Sequence, residues 1–383
     1  MYTAQPGIEL LPGASTMSLT GLRLTAVLSL PLAGLCQMTP RTAPIPRDPL
    51  EMVTGPIQLL DTPETQRSAV EALVRARSNE SLKAAGLGYD LKLSFTVSSG
   101  GQTEYDGDWQ MEEIYIPRQG THWTAKSTAG YATTQIQVDN KYYGDAPGST
   151  IPLRLHEARA ALFGAIATPS TQASIRTSMA TDNGVELTCY LHEASSIVLT
   201  ATPGRRWDEA EDCIDPQTGL LQVHSVVPGR YYAYNYTNAP RLGDRVLPRE
   251  VTVTEAGKVV SVIRVDSLTE LATADANLFV PTAEMMAKGE SIAMTGSVTL
   301  SLFPAGSAPG PDANIQPVCV FGVVSPAGQI VEAHSLQPSD PNSRAAVDFA
   351  KATHYSPSDP AGRPAQHFVF LIEKFAAAAK PDR

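Results

Sequence analysis

At 383 residues the chain is long enough for two or three domains, and 43% hydrophobic with 18% charged residues describes a protein that buries an ordinary core. Its 39 acidic side chains outweigh 29 basic ones, giving a net charge of −10. With no basic stripe in the sequence, that balance argues against nucleic acid as a partner.

The first segment bears on compartment. Leu24 to Cys36 is an apolar run behind Arg23, shorter than the ~20 residues of a bilayer span and suited to a signal-peptide core. A cleaved leader over residues 1–37 is expected, with an uncleaved anchor or a buried cytosolic segment as alternatives. Met17 is a candidate start. Leu35 stands where a lipoprotein signal needs a small residue before Cys36. Export would place the protein in the periplasm, with membrane association left open. Residues 38–60, with Pro40, Pro44, Pro46, Pro49 and Pro56, read as a linker.

Asp61-Thr62-Pro63-Glu64 is a helix start, and Ala69, Leu73 and Ala76 continue it at helical spacing until Gly86 and Gly88. Strict alternation then marks a strand over 89–97, with further strands at 107–116, 122–127, 131–138 and 141–143. Residues 153–166 read as a helix with an apolar face. A second set of strands follows: 185–191, the two sides of the turn at Asp215 to Gly219, then 231–236, 249–255 and 259–268. Residues 284–315 read as a connector with one extra strand at 297–303. The last part carries two strands around a turn at Ser325-Pro326-Ala327-Gly328, a short amphipathic stretch and a closing strand at 366–375.

Residues able to carry chemistry are sparse. Cys189 and Cys213 lie 24 residues apart within one set of strands and are candidates for a disulfide in an oxidising compartment. Cys319, between valines, reads as a buried thiol. Without a C-x-x-C pair, no metal site is expected, and no cofactor motif is present. His156-Glu157 and His192-Glu193 read as surface or satisfied polar pairs. Glu112 and Glu113, adjacent on a strand, point to opposite faces and cannot act as a carboxylate pair. No G-x-S-x-G occurs, so no enzyme is expected. Trp109, Tyr115, Trp123, Tyr232, Tyr234 and Tyr236 are candidates either for sheet packing or for lining an apolar-ligand site in a concave sheet.

Gly322-Val323-Val324, Gly328-Gln329-Ile330-Val331, Ala345-Ala346-Val347, Tyr355-Ser356-Pro357, Gly362-Arg363-Pro364 and Phe368 to Leu371 resemble, in order and spacing, the C-terminal domain of the TonB family. That resemblance implies a β-β-α-β module over 316–376. Its last strand (Gln366, His367, Phe368, Val369, Phe370, Leu371 and Ile372) would then be an edge that pairs with an outer-membrane receptor or other envelope protein. The turn Asp215-x-x-Thr218-Gly219-Leu220-Leu221, Pro248-Arg249 and Phe279-Val280-Pro281 resemble the LolA-like and LppX-like periplasmic half-barrels. This implies a curved antiparallel sheet with helices over 61–283 and a lipid as ligand; a sandwich or a lipocalin-type barrel is the alternative. The expected architecture is therefore α+β, a half-barrel followed by a connector (284–315) and a small TonB-like domain. The expected function is non-enzymatic partner binding in envelope transport, or, as the alternative, apolar-ligand carriage.

Overall fold

A computed structural model describes residues 56–98, 106–145, 153–164, 166, 175–182, 184–193, 205, 209–290, 295–300, 315–356, 362 and 367–376. The expected leader and most of the linker lie outside them. The fold is α+β, dominated by a large antiparallel sheet.

The helices are α1 (Pro63–Glu80), α2 (Leu153–Phe163), α3 (Ala283–Lys288) and α4 (Ser343–Ala352). α1 begins as its sequence dictates: the Thr62 hydroxyl accepts from the Thr65 amide at 3.2 Å, with Pro63 in the first turn. The large sheet is built from β1 (Gln58–Leu59), β2 (Gly88–Val97), β3 (Gly107–Ile116), β4 (Gly120–Ser127), β5 (Ala132–Val138), β6 (Lys141–Gly144), β7 (Ile175–Asp182), β8 (Val185–Glu193), β9 (Glu209–Ile214), β10 (Leu221–Val227) and β11 (Arg230–Asn235). A small ribbon, β12 (Arg241–Leu242) with β13 (Arg245–Val246), precedes its last members, β14 (Glu250–Glu255) and β15 (Lys258–Leu271). The order is β1-β7-β8-β9-β10-β11-β14-β15-β2-β3-β4-β5-β6. β1 falls within the segment read as linker and pairs with β7.

One face of this sheet holds α1 and α2 in a single apolar cluster that includes Leu73, Leu91, Trp109, Leu155, Leu162 and Val251. Alternation produces that face: in β2, Leu91, Leu93, Phe95 and Val97 point inward while Lys92 and Thr96 are exposed. The sheet must curve around α2. Arg159 of this 11-residue helix reaches Glu113 of β3, whereas its Ala161 carbonyl accepts from Tyr234 of β11. The same apolar cluster takes in Ile214 of β9 and Trp123 of β4, seven strand spacings apart in the sheet order, around α1 and α2.

A second sheet contains β16 (Thr295–Leu300), β17 (Ile315–Val324), β18 (Ile330–Ser335) and β19 (His367–Ala376), in the order β16-β19-β17-β18. Gly328, at φ +85°, makes the β17–β18 turn; a Cβ there would lie 2.0 Å from the Tyr355 carbonyl oxygen. The β-β-α-β connectivity is present, but the last strand is not an edge. β19 pairs in parallel with β16 and antiparallel with β17, so Val369 faces Ser297 on one side and Gly322 on the other. His367 to Ile372 therefore have neighbours on both flanks and offer no open ladder to a partner; Gln366 lies outside the described residues. The cause is the extra strand in the connector, which covers the flank that strand addition would need.

The small sheet is covered on both faces. Val318, Val320, Val369 and Leu371 pack under Ala346 and Ala350 of α4. Cys319, Phe321, Val323 and Phe370 pack against Val226 and Val227 of β10.

Candidate functional site

The interior of the curved sheet is the place where the sequence concentrates aromatic and ionisable groups, and α2 lies at its centre. Leu155, Ala158, Ala161 and Leu162 of this helix are buried in the apolar cluster. Arg154 and Glu157 are buried as well, and the His156 ring lies 6.1 Å from Phe368 of the small sheet. The helix thus has no wide polar face, unlike the amphipathic helix expected from its sequence. Burial brings His156 down to about 4.

Two buried polar clusters attach α2. In the first, Glu113 accepts from Arg159 at 2.9 Å and from the Tyr89 hydroxyl at 2.8 Å. Lys83 donates nearby to Thr121 and Gln137. Burial pushes Glu113 up, but the charges of Arg159 and Lys83 outweigh it and hold the carboxyl below its usual range. Arg159 also lies 4.8 Å from the centre of the Trp123 ring.

The second cluster joins three layers. Arg154 donates to Glu157 at 2.7 Å and to Glu255 at 3.0 Å, and its other nitrogen is 3.6 Å from Glu332 of β18. Arg230 donates to Glu255 at 2.9 Å and also to Glu157 and the Tyr232 hydroxyl. His334 of β18 completes it, 2.7 Å from Glu255. Burial raises Glu255, yet Arg230, the His334 bond and Arg154 together hold it well below the carboxylate range. Glu332 goes up through burial.

A third cluster lies on β8, β9 and β10, where Asp212 is shared by His192 and His224, each at 2.7 Å. Burial raises Asp212, but the charge of His224 and both hydrogen bonds bring it down to about 2. The neighbouring positions of β9 face the other way. There Glu209 pairs with Arg176 at 2.8 Å and Glu211 with Arg205 at 2.8 Å. On that same face Cys189 and Cys213, cross-strand neighbours, are joined at an S–S distance of 2.00 Å.

The aromatic candidates are brought together around a helix. Trp109, Trp123, Tyr232 and Tyr234 are buried, and Tyr115 and Tyr236 pack against the same cluster. Their polar atoms are used internally: Trp123 donates to Gln135, and Tyr234 to the Ala161 carbonyl. Glu157 and His192 are buried and hydrogen-bonded, as the satisfied-polar reading has it, and His156 is half-buried. Sequence reasoning missed Arg154, Arg159, Arg230, Glu255, Asp212 and His224, and it gave Glu113 and His192 no site role. The faint signal was charge on a helix whose remaining residues are apolar.

No known family model and no curated protein matches this sequence. Solved structures resemble parts of it. A LolA superfamily protein from Nitrosomonas europaea is 8% identical, covering 55% of this chain and 96% of its own, with a TM-score of 0.36. A DUF1329 family protein from Desulfovibrio piger is 6% identical over 56% of this chain and 96% of its own, also at 0.36. The Pseudomonas aeruginosa MucA/MucB complex is 12% identical over 69% of this chain and 82% of its own, at 0.27. The superpositions are partial, and the identities are too low to transfer a ligand or a partner. Among the described residues, no helix is long and apolar enough to cross a membrane.

Proposed function

We propose that this chain is a non-enzymatic envelope protein of the LolA-like half-barrel type, carrying an apolar ligand such as a lipid acyl chain inside the curved sheet. The supporting observation is the way the interior is filled. The short helix α2 lies among Trp109, Trp123, Tyr232 and Tyr234, with α1 in the same cluster, and beside the Tyr234 bond to its Ala161 carbonyl its polar attachment is ionic: Arg159 to Glu113, Glu157 to Arg230, Arg154 to Glu255. A cylinder 10 Å wide and 16 Å long occupies about 1,300 Å³, comparable with a generous small-molecule cavity. Buried ion pairs contribute little net stability, because desolvation offsets their attraction. An acyl chain seated there displaces α2, and the withdrawal must admit water or a ligand's polar head to Glu113, Arg230 and Glu255, which lose their helix partners. Periplasmic location belongs to this reading, as does the leader. Pairing of the last strand with an outer-membrane receptor does not, because β19 is interior.

Quenching by brominated fatty acids tests it. Trp207→Phe leaves Trp109 and Trp123 as the only indoles of the three in the chain. Saturable quenching of their emission, together with acyl chains recovered by mass spectrometry from the purified protein, is the expected result. Emission unchanged at saturating brominated lipid, with no chain recovered, would refute carriage.

A further inference from the structure

At the mouth of the interior, between α1 and the β9–β10 turn, lies a cleft of about 230 Å³. Ser68, Ala72 and Arg75 line one wall, spaced i, i+4 and i+7 so that they share a stripe of α1. Thr188 and Tyr190, on one face of β8, line the other. The small side chains of Ser68 and Ala72 leave the room. Gly219, at φ +72°, takes the left-handed conformation of the turn, and the Arg75 stem lies beside it.

Among the described residues the donors of this cleft are unspent. Among the described residues the Arg75 guanidinium has no hydrogen bond or ion pair, and neither do the hydroxyls of Ser68, Thr188 and Tyr190. Asp215 also lines the cleft, and its carboxylate is engaged in its own loop, accepting from the Gln217 amide at 2.8 Å and the Thr218 hydroxyl at 2.7 Å. Arg75 is close enough to Tyr190 for its charge to oppose the rise that burial gives the phenol. The floor is apolar: Ile214 belongs to the cluster that fills the interior, and Tyr190 packs against it.

One guanidinium fork with three hydroxyl donors suits a tetrahedral oxyanion that has many acceptors and no protons to give. We propose that this cleft binds a phosphate monoester group through Arg75, with Ser68, Thr188 and Tyr190 as supporting donors. As the seat of a carried lipid's headgroup it rests on the carrier reading; as an anion site in its own right it does not.

Calorimetric titration of the full chain with dodecyl phosphate, dodecanol and inorganic phosphate tests the assignment in the parent, Arg75→Met and Arg75→Lys. Loss of a charge-assisted hydrogen bond predicts that Arg75→Met binds dodecyl phosphate about ten-fold more weakly or worse, with Arg75→Lys between the two. Arg75 is exposed and unpaired, so both variants retain the parent's circular dichroism and melting. If the Arg75 dependence extends to inorganic phosphate, the site takes free anions; if only dodecyl phosphate shows it, the ligand is a headgroup. The proposal is overturned if Arg75→Met matches the parent, or if the parent binds neither phosphate probe. Dodecanol reports separately on the interior: its failure to bind, beside Arg75-dependent phosphate binding, would count against lipid carriage and leave the cleft standing.

Discussion

Replacing Arg230 by methionine probes what joins the two sheets. The side chain is 2% exposed, donates to Glu157, Glu255 and Tyr232, and lies 5.3 Å and 5.8 Å from the ring centres of Phe321 and Phe370. Methionine keeps the volume but leaves two buried carboxylates with Arg154 as their one remaining guanidinium. Removing one partner from a buried ionic cluster costs about 3–5 kcal/mol, chiefly because the orphaned charge stays buried. For a domain of this size that corresponds to a melting decrease of roughly 10 °C. Urea and thermal unfolding at pH 7 measure it. Adding Glu255→Gln neutralises an orphan and should recover about 1 kcal/mol relative to Arg230→Met alone. A single variant within 1 kcal/mol of the parent, or a double variant whose losses simply add, would refute the reasoning.

Acid stability offers a second check. Asp212 sits at about 2 against an ordinary 3.8, so the ionised form is favoured in the folded chain. Its contribution is complete above pH 4 and is lost as pH falls toward 2. Asp212→Asn should therefore cost on the order of 2 kcal/mol at neutral pH and flatten the stability curve between pH 4 and 2; an unchanged acid limb in urea titrations would contradict this. The two strands of the small sheet provide a third check. Val369→Pro removes a ladder donor from an interior strand and should unfold that sheet, costing 3 kcal/mol or roughly more. Val331→Lys on the outer strand β18, at a side chain 65% exposed, should shift stability by under about 0.5 kcal/mol. Equal effects on melting would show that the strand order is wrong.

Period-two patterning made most strands legible, because Leu91, Leu93 and Phe95 report a half-buried face directly. The capping residues Thr62 and Pro63 made the start of α1 equally plain. Strand order was not legible. A strand at 297–303 could be read from the sequence, but whether it lies beside β17 or β19 depends on contacts distant in the chain, and that choice decided whether the last strand was an edge. The interior charges were hidden for the same reason: Arg159 meets Glu113 across 46 positions, Glu157 meets Arg230 across 73, and Arg154 meets Glu255 across 101. Read locally, each looks like a solvated residue on a helix or strand. The aromatic grouping was visible as strand composition, yet nothing local said that α2 fills the space they surround.

Arg154 is a shared fastener. The same guanidinium holds α2 to Glu255 of the large sheet and approaches Glu332 of the small one, while His334 of the small sheet bonds Glu255 as well. Emptying the curved sheet of its helix must therefore loosen the small sheet, and anything that pulls on the small sheet must loosen the helix. On the carrier reading, whatever grips the outer layer would set how readily α2 leaves, with a coupling of the same size in both directions.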